Sequence, residues 1–372
     1  MQSLIEIIIS KKALKYNFKV IKNLTGRKVL IAPCVKSNAY GHGILQVAKT
    51  LISSGADWLS VESIEEAQIL RKAGVKIPIQ VIGYIQQKDL KKAVELRLIP
   101  FVYNIETVKI ISRFKKQVNI VLKVDTGMGR QGVLPSDIVK FIRFVKKHKH
   151  INVLSIATHF ATSDEPENKK YFLNQKQTLK KIINELKKNN INISIYQCDN
   201  SGALLLNNDT HYNLIRPGIS IYGFYPSESV RKICQKNNIF LKPSLTLKTK
   251  VAQIKVLQKG SYISYGATFK TKKKTRVAII PIGYYDGLDR KLSNKGSVLI
   301  RGKRARILGR VCMNILIVDA SNIKNIKQED EVVVIEKQGN LEITAEEIAK
   351  QTKTINYEVI TRLRESIKRI FK

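Results

Sequence analysis

Short apolar runs alternate with amphipathic segments from the start of the chain to about residue 223. The apolar runs are VLIAPCV (29–35), DWLSV (57–61), PIQVI (78–82), PFVY (100–103), NIVLKV (119–124), VLSIATH (153–159), ISIYQ (193–197) and NLIRPGISIYG (213–223). Segment 44–55 between them has apolar residues at helical spacing and ends at Gly55. Eight continuous apolar strands alternating with helices predict an α/β fold, an eight-stranded (β/α)8 barrel. An open doubly wound sheet is the alternative, and Pro33 removes a ladder donor from a predicted central strand.

The pattern changes from about residue 240, where strands follow one another across Gly, Asn and Lys turns. These predicted strands lie within 244–257, 261–269, 276–285, 296–309, 314–320 and 330–336. Segment 344–351 is predicted to be helical, with Thr344 as its cap and Glu347 three residues later. We therefore expect residues 1–232 to form the barrel and residues 233–372 a mainly β domain. The first strand of the chain is a candidate for packing on the C-terminal domain.

Composition sets limits on the class of protein. The chain has 372 residues, 44% of them hydrophobic, which is enough for two globular cores. Its formal charge of +37 raises the prospect of a nucleic-acid partner. The basic residues, however, are spread along the whole chain, without a basic helix, a zinc module or an RNA-binding sheet motif. This spread favours drift in composition over polyanion binding, so we expect no specific nucleic-acid partner and an attraction for anionic substrates.

Cysteine usage and hydropathy suggest a location. The four cysteines lie far apart and form neither a CxxC pair nor a disulfide framework, which fits a reducing compartment. The first apolar run is broken at Glu6 and lacks a basic leader. No stretch approaches the roughly 20 apolar residues of a membrane span. The sequence thus predicts a cytoplasmic protein with no membrane partner and no metal site.

Polar residues collect where the predicted barrel strands end, which is where barrels place their chemistry. They are Lys36, Tyr40, Lys123, Asp125, Arg130, His159, Asn200, Ser201, Arg216, Pro217, Gly218 and Ile219. Loops after the seventh and eighth strands are the usual phosphate-binding place in such barrels. An amine opposite a phosphate cradle is what pyridoxal phosphate requires. A single lysine in a chain with 66 Lys and Arg is weak evidence alone, and a solvated lysine is the alternative.

The stretch VKSNAYGHG (35–43) resembles the cofactor-lysine motif of alanine racemases. Further matches follow in the order of that family: LKVDTGMGRQG (122–132), ATHFATSD (157–164), RPGISIYG (216–223), SYGATF (264–269), GYYDGL (283–288), GRVCMN (309–314) and INYEVITRL (355–363). The resemblance implies a fold-type III pyridoxal phosphate enzyme that works as a head-to-tail homodimer. The implied reaction interconverts L- and D-alanine and supplies D-alanine for peptidoglycan.

The resemblance also implies two catalytic residues. Lys36 would bind the cofactor covalently and act as one acid/base, and Tyr265 of the partner subunit would be the other. Racemisation needs a proton removed from one face of Cα and returned to the other, so groups on both sides are required. Without the motif, Tyr265 would be interpreted as a strand aromatic packed at a domain seam.

Other matched positions imply contacts with the cofactor. The phosphate would be held by Tyr40, Ser201, Gly218, Ile219 and Tyr357. For Ser201 a helix N-cap is the alternative role, and for Tyr357 a core position after the last helix.

The ring end of the cofactor would meet Arg216, for which a salt bridge at a strand end is the alternative. An arginine at the pyridine nitrogen leaves that nitrogen unprotonated, which makes the ring a poorer electron sink. His159 would orient Tyr265 and bridge towards Arg216. The alternative for His159 is a satisfied barrel histidine.

Three matched positions imply contacts with the substrate end. Arg130 would meet the cofactor's phenolic oxygen and the substrate carboxylate, and Met313 would contact that carboxylate through its backbone. Lys123 matches a lysine that is carbamylated in many relatives, where it fixes Arg130. A plain buried salt bridge is the alternative for Lys123.

Two departures from the family pattern lie near these positions. Asn314 replaces the usual aspartate after Met313, and Asp199 stands where relatives commonly have a small apolar residue. Rival functions are a racemase of serine or of broad range, a decarboxylase on the same fold, a non-catalytic pyridoxal phosphate carrier and a polyanion-binding protein.

Overall fold

The computed structural model describes residues 4–207 and 209–372. These residues divide into two compact units. The barrel unit comprises Ala13–Ala39 and Ile44–Lys242, and the β unit comprises the described residues up to Lys12, Tyr40–Gly43 and Pro243–Lys372. The last four residues of the motif at 35–43 therefore belong to the β unit.

The strands follow the apolar runs closely. The first strand, β1 (Glu6–Ile9), lies in the β unit. The barrel unit contains β2 (Leu30–Ile31), β3 (Leu59–Val61), β4 (Ile79–Val81), β5 (Ile99–Val102), β6 (Val118–Lys123), β7 (Ile151–Ala157), β8 (Ile195–Gln197) and β9 (Leu214–Ile215). The β unit continues with β10 (Leu245–Lys250), β11 (Gln253–Leu257), β12 (Tyr262–Ile263), β13 (Phe269–Lys270), β14 (Thr275–Ile280), β15 (Ser297–Ile300), β16 (Lys303–Arg306), β17 (Leu316–Asp319), β18 (Glu331–Gln338), β19 (Leu341–Ile343) and β20 (Lys368–Phe371).

Helices separate the barrel strands. They are α1 (Lys11–Thr25), α2 (Ile44–Ser53), α3 (Ile64–Lys72), α4 (Leu90–Glu95), α5 (Ile105–Ser112), α6 (Ile138–Lys146), α7 (Lys169–Lys188), α8 (Ser201–Leu206) and α9 (Glu228–Lys236), while the β unit carries α10 (Ala345–Thr352) and α11 (Asn356–Thr361). Thr344 caps α10 by accepting the Glu347 N–H at 3.0 Å, as the sequence predicts. Within the described ranges, no helix has the length and hydropathy needed to cross a membrane.

The eight strands of the barrel unit close on themselves. Strands β3 to β8 form a parallel sheet in sequence order, and β2 pairs in parallel with β9. A bridge between Cys34 and Ser60 joins β2 to β3, and the Arg216 N–H donates to the Asp199 carbonyl at 3.0 Å between β8 and β9. The predicted (β/α)8 barrel is confirmed. Pro33 is tolerated because it lies beyond the short β2, where its carbonyl still accepts the Ser60 N–H at 2.9 Å.

The β unit is built on one large sheet with the strand order β16-β15-β18-β10-β1-β20, and β19 pairs with β18. Strand β1 is antiparallel to β10 and parallel to β20, so the first strand of the chain packs within the β unit. Strands β11, β14 and β17 form a second sheet, and β12 pairs with β13. The mainly β C-terminal domain is thereby confirmed as an architecture.

Candidate active site

Lys36 follows β2 at the carboxyl end of the barrel strands. Its Nζ forms an ion pair with Glu62 Oε2 at 2.9 Å, and the two side chains are 34% and 47% exposed. Gly83 makes room for this carboxylate, because a Cβ there would lie 2.6 Å from Glu62 Oε1. Glu62 lies in no recognisable motif, so sequence analysis did not single it out. The amine is thus held by a carboxylate while remaining accessible.

The backbone after Lys36 forms a left-handed turn over residues 37–40, each with φ between 52° and 54°. This conformation costs roughly 1–2 kcal/mol per residue for L-amino acids. The Glu66 carboxylate offsets part of the cost by accepting the N–H groups of Ser37 at 2.5 Å and Asn38 at 3.4 Å. Asn38 Oδ1 in turn accepts the Ile44 N–H at the start of α2. Hydrogen bonds to Glu66 and to Ile44 therefore hold the turn on both sides.

The loops after β8 and β9 are joined through one hydroxyl. Ser201 Oγ accepts the N–H groups of Gly218 at 3.0 Å and Ser220 at 3.2 Å. The cap of α8 is Asn200, whose side chain accepts the Ala203 N–H at 3.1 Å. The alternative role of Ser201 as the N-cap is therefore wrong, since Asn200 occupies that position. Ser201 instead fixes the spacing of the two candidate phosphate loops.

Backbone donors remain available at these loops. The Ile219 N–H makes no hydrogen bond to any residue that the structure describes. The N–H groups of the first turn of α8 have no partner within that helix. Gly202 lets the Ser163 backbone lie close to the start of α8, because a Cβ at Gly202 would lie 2.8 Å from that backbone. Donors of this kind suit an anion such as a phosphate.

Arg216 is 5% exposed, yet all of its hydrogen-bond partners are neutral. Its guanidinium donates to the Gln197 carbonyl and Gln197 Oε1, both at 2.9 Å, and to the Thr158 carbonyl at 2.6 Å. The salt-bridge alternative is therefore wrong among the described residues. These three bonds leave two of the five guanidinium N–H donors for a ligand.

A buried amide network fixes Gln197 beside this arginine. Gln197 Nε2 donates to Gln80 Oε1 at 3.1 Å and to Ser155 Oγ at 3.0 Å. Gln80 Nε2 donates to Ser60 Oγ at 2.8 Å. The network links strands β3, β4, β7 and β8. These four strands therefore fix Gln197, which in turn positions the Arg216 guanidinium.

Lys123 and His159 lie in an electropositive part of the barrel unit. Burial, followed by repulsion from Arg216 and Arg130, lowers the pKa of Lys123 well below its usual value. Burial, followed by repulsion from Lys123 and Arg216, lowers the pKa of His159 well below its usual value. In the described residues, Lys123 Nζ has no ion pair or hydrogen bond, so the salt-bridge alternative is wrong. The His159 ring makes no hydrogen bond to Arg216 there.

The loop after β6 is organised by Asp125. Its carboxylate accepts the N–H groups of Gly127 at 2.9 Å, Gly129 at 3.2 Å and Arg130 at 3.2 Å. Burial raises the pKa of Asp125, but these backbone bonds outweigh it, and the pKa is lowered overall. The ionised carboxylate thus shapes a loop that presents the exposed Arg130 side chain.

In the β unit, Tyr265 lies at the tip of a strained turn and is 70% exposed. Ser264 before it and Gly266 after it have φ values of 65° and 70°. Ser264 Oγ donates to the Arg310 carbonyl at 2.6 Å. A Cβ at Gly266 would lie 2.9 Å from the Arg310 guanidinium. The Tyr265 ring is therefore presented outward rather than packed within the β unit.

Three further predicted residues also lie in the β unit. Tyr40 and Tyr357 have ring centroids 6.2 Å apart, and Tyr357 lies within α11 rather than after the last helix. Met313 is 54% exposed, with its carbonyl accepting the Tyr285 N–H at 2.9 Å. Asn314 is exposed. The two tyrosines predicted to hold one phosphate are therefore neighbours.

The predicted residues fall into two groups. The barrel unit holds Lys36, Lys123, Arg130, His159, Ser201, Arg216, Gly218 and Ile219. All eight lie at or after the carboxyl ends of β2, β6, β7, β8 and β9. The β unit holds Tyr40, Tyr265, Met313 and Tyr357.

Comparison with known proteins finds matches along nearly the whole chain. The model of the alanine racemase N-terminal domain matches residues 9–226, and that of the C-terminal domain matches residues 244–371. An alanine racemase of Halothermothrix orenii is 39% identical over 368 residues, covering 98% of this chain and 96% of the relative.

Two solved structures extend the likeness. Alanine racemase from Bacillus anthracis with bound L-Ala-P has a TM-score of 0.94 at 33% identity, covering 100% of this chain and 96% of that one. Alanine racemase from Bartonella henselae with covalently bound pyridoxal phosphate has a TM-score of 0.85 at 25% identity, with 100% of both chains covered. Matches to both family domains and near-complete relatives show that the chain belongs to the alanine racemase family.

Proposed function

We propose that this chain interconverts L- and D-alanine with pyridoxal phosphate as its cofactor. Its family depends on this cofactor, and the Bartonella relative carries it covalently bound. The observation that carries the proposal is the grouping in one barrel unit of an accessible amine, Lys36, with the joined loops at Ser201 and Gly218 and the buried Arg216.

The donor set of the barrel unit fits this cofactor. Ser201 and the free N–H of Ile219 suit its phosphate, together with Gly218 of the same loop. Arg216 has unused donors for the ring nitrogen, and Lys36 supplies the amine for a covalent link. When bound, the cofactor supplies an electron-withdrawing ring system that acidifies the Cα–H of the amino acid.

Two residues move the proton in this proposal. Lys36 acts on one face of Cα and Tyr265 of the partner subunit acts on the other, within a homodimer with shared sites. Opposed acid/base groups are required because the product has inverted configuration. The outward presentation of Tyr265, which is 70% exposed, supports a role beyond its own β unit. Arg216 would keep the ring nitrogen unprotonated, since guanidinium does not release its proton at ordinary pH.

The remaining predicted residues would position groups around this centre. Arg130 and the backbone of Met313 would hold the substrate carboxylate, and His159 would orient Tyr265. The lowered pKa of Lys123 favours the neutral amine, which is the form that adds CO₂, so we propose that Lys123 is carbamylated and fixes Arg130. Tyr40 and Tyr357 would complete the phosphate site.

The product would serve peptidoglycan synthesis, which uses D-alanine. The four free cysteines fit a reducing compartment, and we place the reaction in the cytoplasm.

The test is an assay of the purified chain with pyridoxal phosphate and either isomer of alanine. We expect each isomer to yield the other, and we expect Lys36→Ala to abolish the covalently bound cofactor detected by mass after reduction. Covalent cofactor on the Lys36→Ala chain, or no D-alanine from the unsubstituted chain, would contradict the proposal.

A further inference from the structure

The buried side chains of Asp199 and His211 form a hydrogen bond that the family resemblance does not predict. Asp199 follows β8 and stands where relatives commonly have a small apolar residue. His211 lies in the connection between α8 and β9, and its Nδ1 is 2.6 Å from Asp199 Oδ2. The exposed fractions are 0% for Asp199 and 6% for His211. The departure at Asp199 is therefore accompanied by a partner.

Such burial demands a partner. An unpaired buried carboxylate is strongly unfavourable, whereas a paired and hydrogen-bonded one is tolerated. Asp199 Oδ2 is paired with His211, and Oδ1 accepts the weak Cys198 S–H donor at 3.5 Å. The Cys198 thiol is also 3.1 Å from the Thr210 carbonyl. The contacts of His211 with Asp199 and of Thr210 with Cys198 thus hold the connection between α8 and β9 against the end of β8.

The Asp199–His211 pair lies next to both candidate phosphate loops. The Asp199 main chain leads directly into Asn200 and Ser201, while its carbonyl accepts the Arg216 N–H at 3.0 Å. Arg216 begins the second loop, which reaches Gly218, and Ser201 Oγ accepts the Gly218 N–H. A displacement of Asp199 would therefore move both loops relative to each other.

We propose that the Asp199–His211 pair positions the two loops that bind the cofactor's phosphate, and this inference rests on the proposed function. Neither residue contacts the phosphate in this proposal. The pair holds the start of α8 and the start of the second loop in register, so that Ser201 and the N–H of Ile219 face one anion. The affinity for ligands with a phosphate should depend on the pair, and the affinity for ligands without a phosphate should not.

The test compares binding of pyridoxal phosphate and of pyridoxal to the cofactor-free, full-length chain, measured by equilibrium titration. For Asp199→Ala we expect a loss of about tenfold in affinity for pyridoxal phosphate, because a broken buried hydrogen bond costs about 1.4 kcal/mol. The affinity for pyridoxal should change by less than about threefold, since it lacks the phosphate. His211→Gln should show the same selectivity.

Asp209→Ala is the matched control. Asp209 lies in the same connection as His211 and pairs with Lys176 of α7, but the Asp209 side chain is 65% exposed. This variant should bind both ligands as the unsubstituted chain does. Asp199→Asn keeps an acceptor for His211 and should recover most of the affinity for pyridoxal phosphate, and it carries the test together with His211→Gln if Asp199→Ala does not fold.

The outcomes separate this inference from the proposed function. An equal loss for both ligands would show general loosening of the barrel and would overturn the positioning role, as would unchanged binding in Asp199→Ala and His211→Gln. A loss in Asp209→Ala as large as that in Asp199→Ala would also overturn it. Failure of the unsubstituted chain to bind pyridoxal phosphate would overturn the proposed function and this inference together.

Discussion

At the residue scale, the Lys36 amine is held by the Glu62 carboxylate after the first strand of the barrel unit. Its motif was visible in the sequence, but its ion pair with Glu62 was not, because a contact 26 residues away leaves no periodic signal. The same limit hid the partnership of Asp199 with His211, whereas Ser201 and Arg216 could be predicted from their motifs. Motifs therefore mark the candidate reacting groups, whereas the side chains that hold these groups lie far away in the sequence and carry no motif.

Lys123 provides a residue-scale prediction about pH. Burial, followed by Arg216 and Arg130, depresses its pKa in the folded chain below the usual value of 10.5. Below that usual pKa the unfolded chain binds a proton that the folded chain resists, so Lys123 destabilises the fold there. We expect Lys123→Met in CO₂-free buffer to stabilise the chain by about 1–3 kcal/mol at neutral pH. The gain should vanish as the pH rises through 10.5.

Urea unfolding at a series of pH values measures this gain. Lys140→Met, which changes an exposed lysine on α6, is the control and should show no such trend. Destabilisation by Lys123→Met at all pH values would contradict the placement of an uncompensated amine in the barrel.

At the element scale, the left-handed turn at residues 37–40 is the feature that hydrophobic patterning could not anticipate. The strands of the barrel follow from apolar runs, and the capped helix α10 follows from Thr344 and Glu347. The turn depends instead on a carboxylate from α3, Glu66, which lies 29 residues beyond Ser37. Strands β1 and β20 pair across almost the whole length of the chain, so their joint position in one sheet was equally hidden.

Glu66→Ala tests the support of this turn. Its carboxylate accepts the N–H groups of Ser37 and Asn38 and also that of Glu62 at 2.8 Å. We expect a loss of about 1–3 kcal/mol in the free energy of unfolding by urea, because three backbone N–H groups lose a charged acceptor. Glu65→Ala, at the exposed neighbouring position of α3, should cost no more than about 1 kcal/mol. Equal losses in the two variants would contradict the role of Glu66.

At the scale of the whole molecule, the sequence predicted both architectures but not how the chain is shared between them. A boundary near residue 232 was predicted, whereas residues 233–242 group with the barrel unit and residues 40–43 with the β unit. Helix α9 runs to Lys236, beyond the predicted boundary, because its capped amphipathic segment lies in a polar stretch. A segment of only a few residues that passes from one unit to the other is too short to change the local composition, so sequence analysis does not detect it.

The proposed homodimer with shared sites gives a prediction at the same scale. Lys36→Ala and Tyr265→Phe chains should each be nearly inactive, because each lacks one acid/base. Unfolded together and refolded as a mixture, they should recover about a quarter of the wild-type activity, since half of the random dimers carry one complete site of two. Absence of recovery, with mixed dimers demonstrated by mass, would contradict a site built from two subunits.

In the proposed reaction, Lys36 and Tyr265 act on opposite faces of Cα. The most direct test of this assignment is exchange of the Cα proton in deuterium oxide, measured together with the configuration of the product, for the Tyr265→Phe chain. We expect exchange from L-alanine to be mainly lost while exchange from D-alanine persists. Equal loss of exchange from both isomers would contradict this assignment.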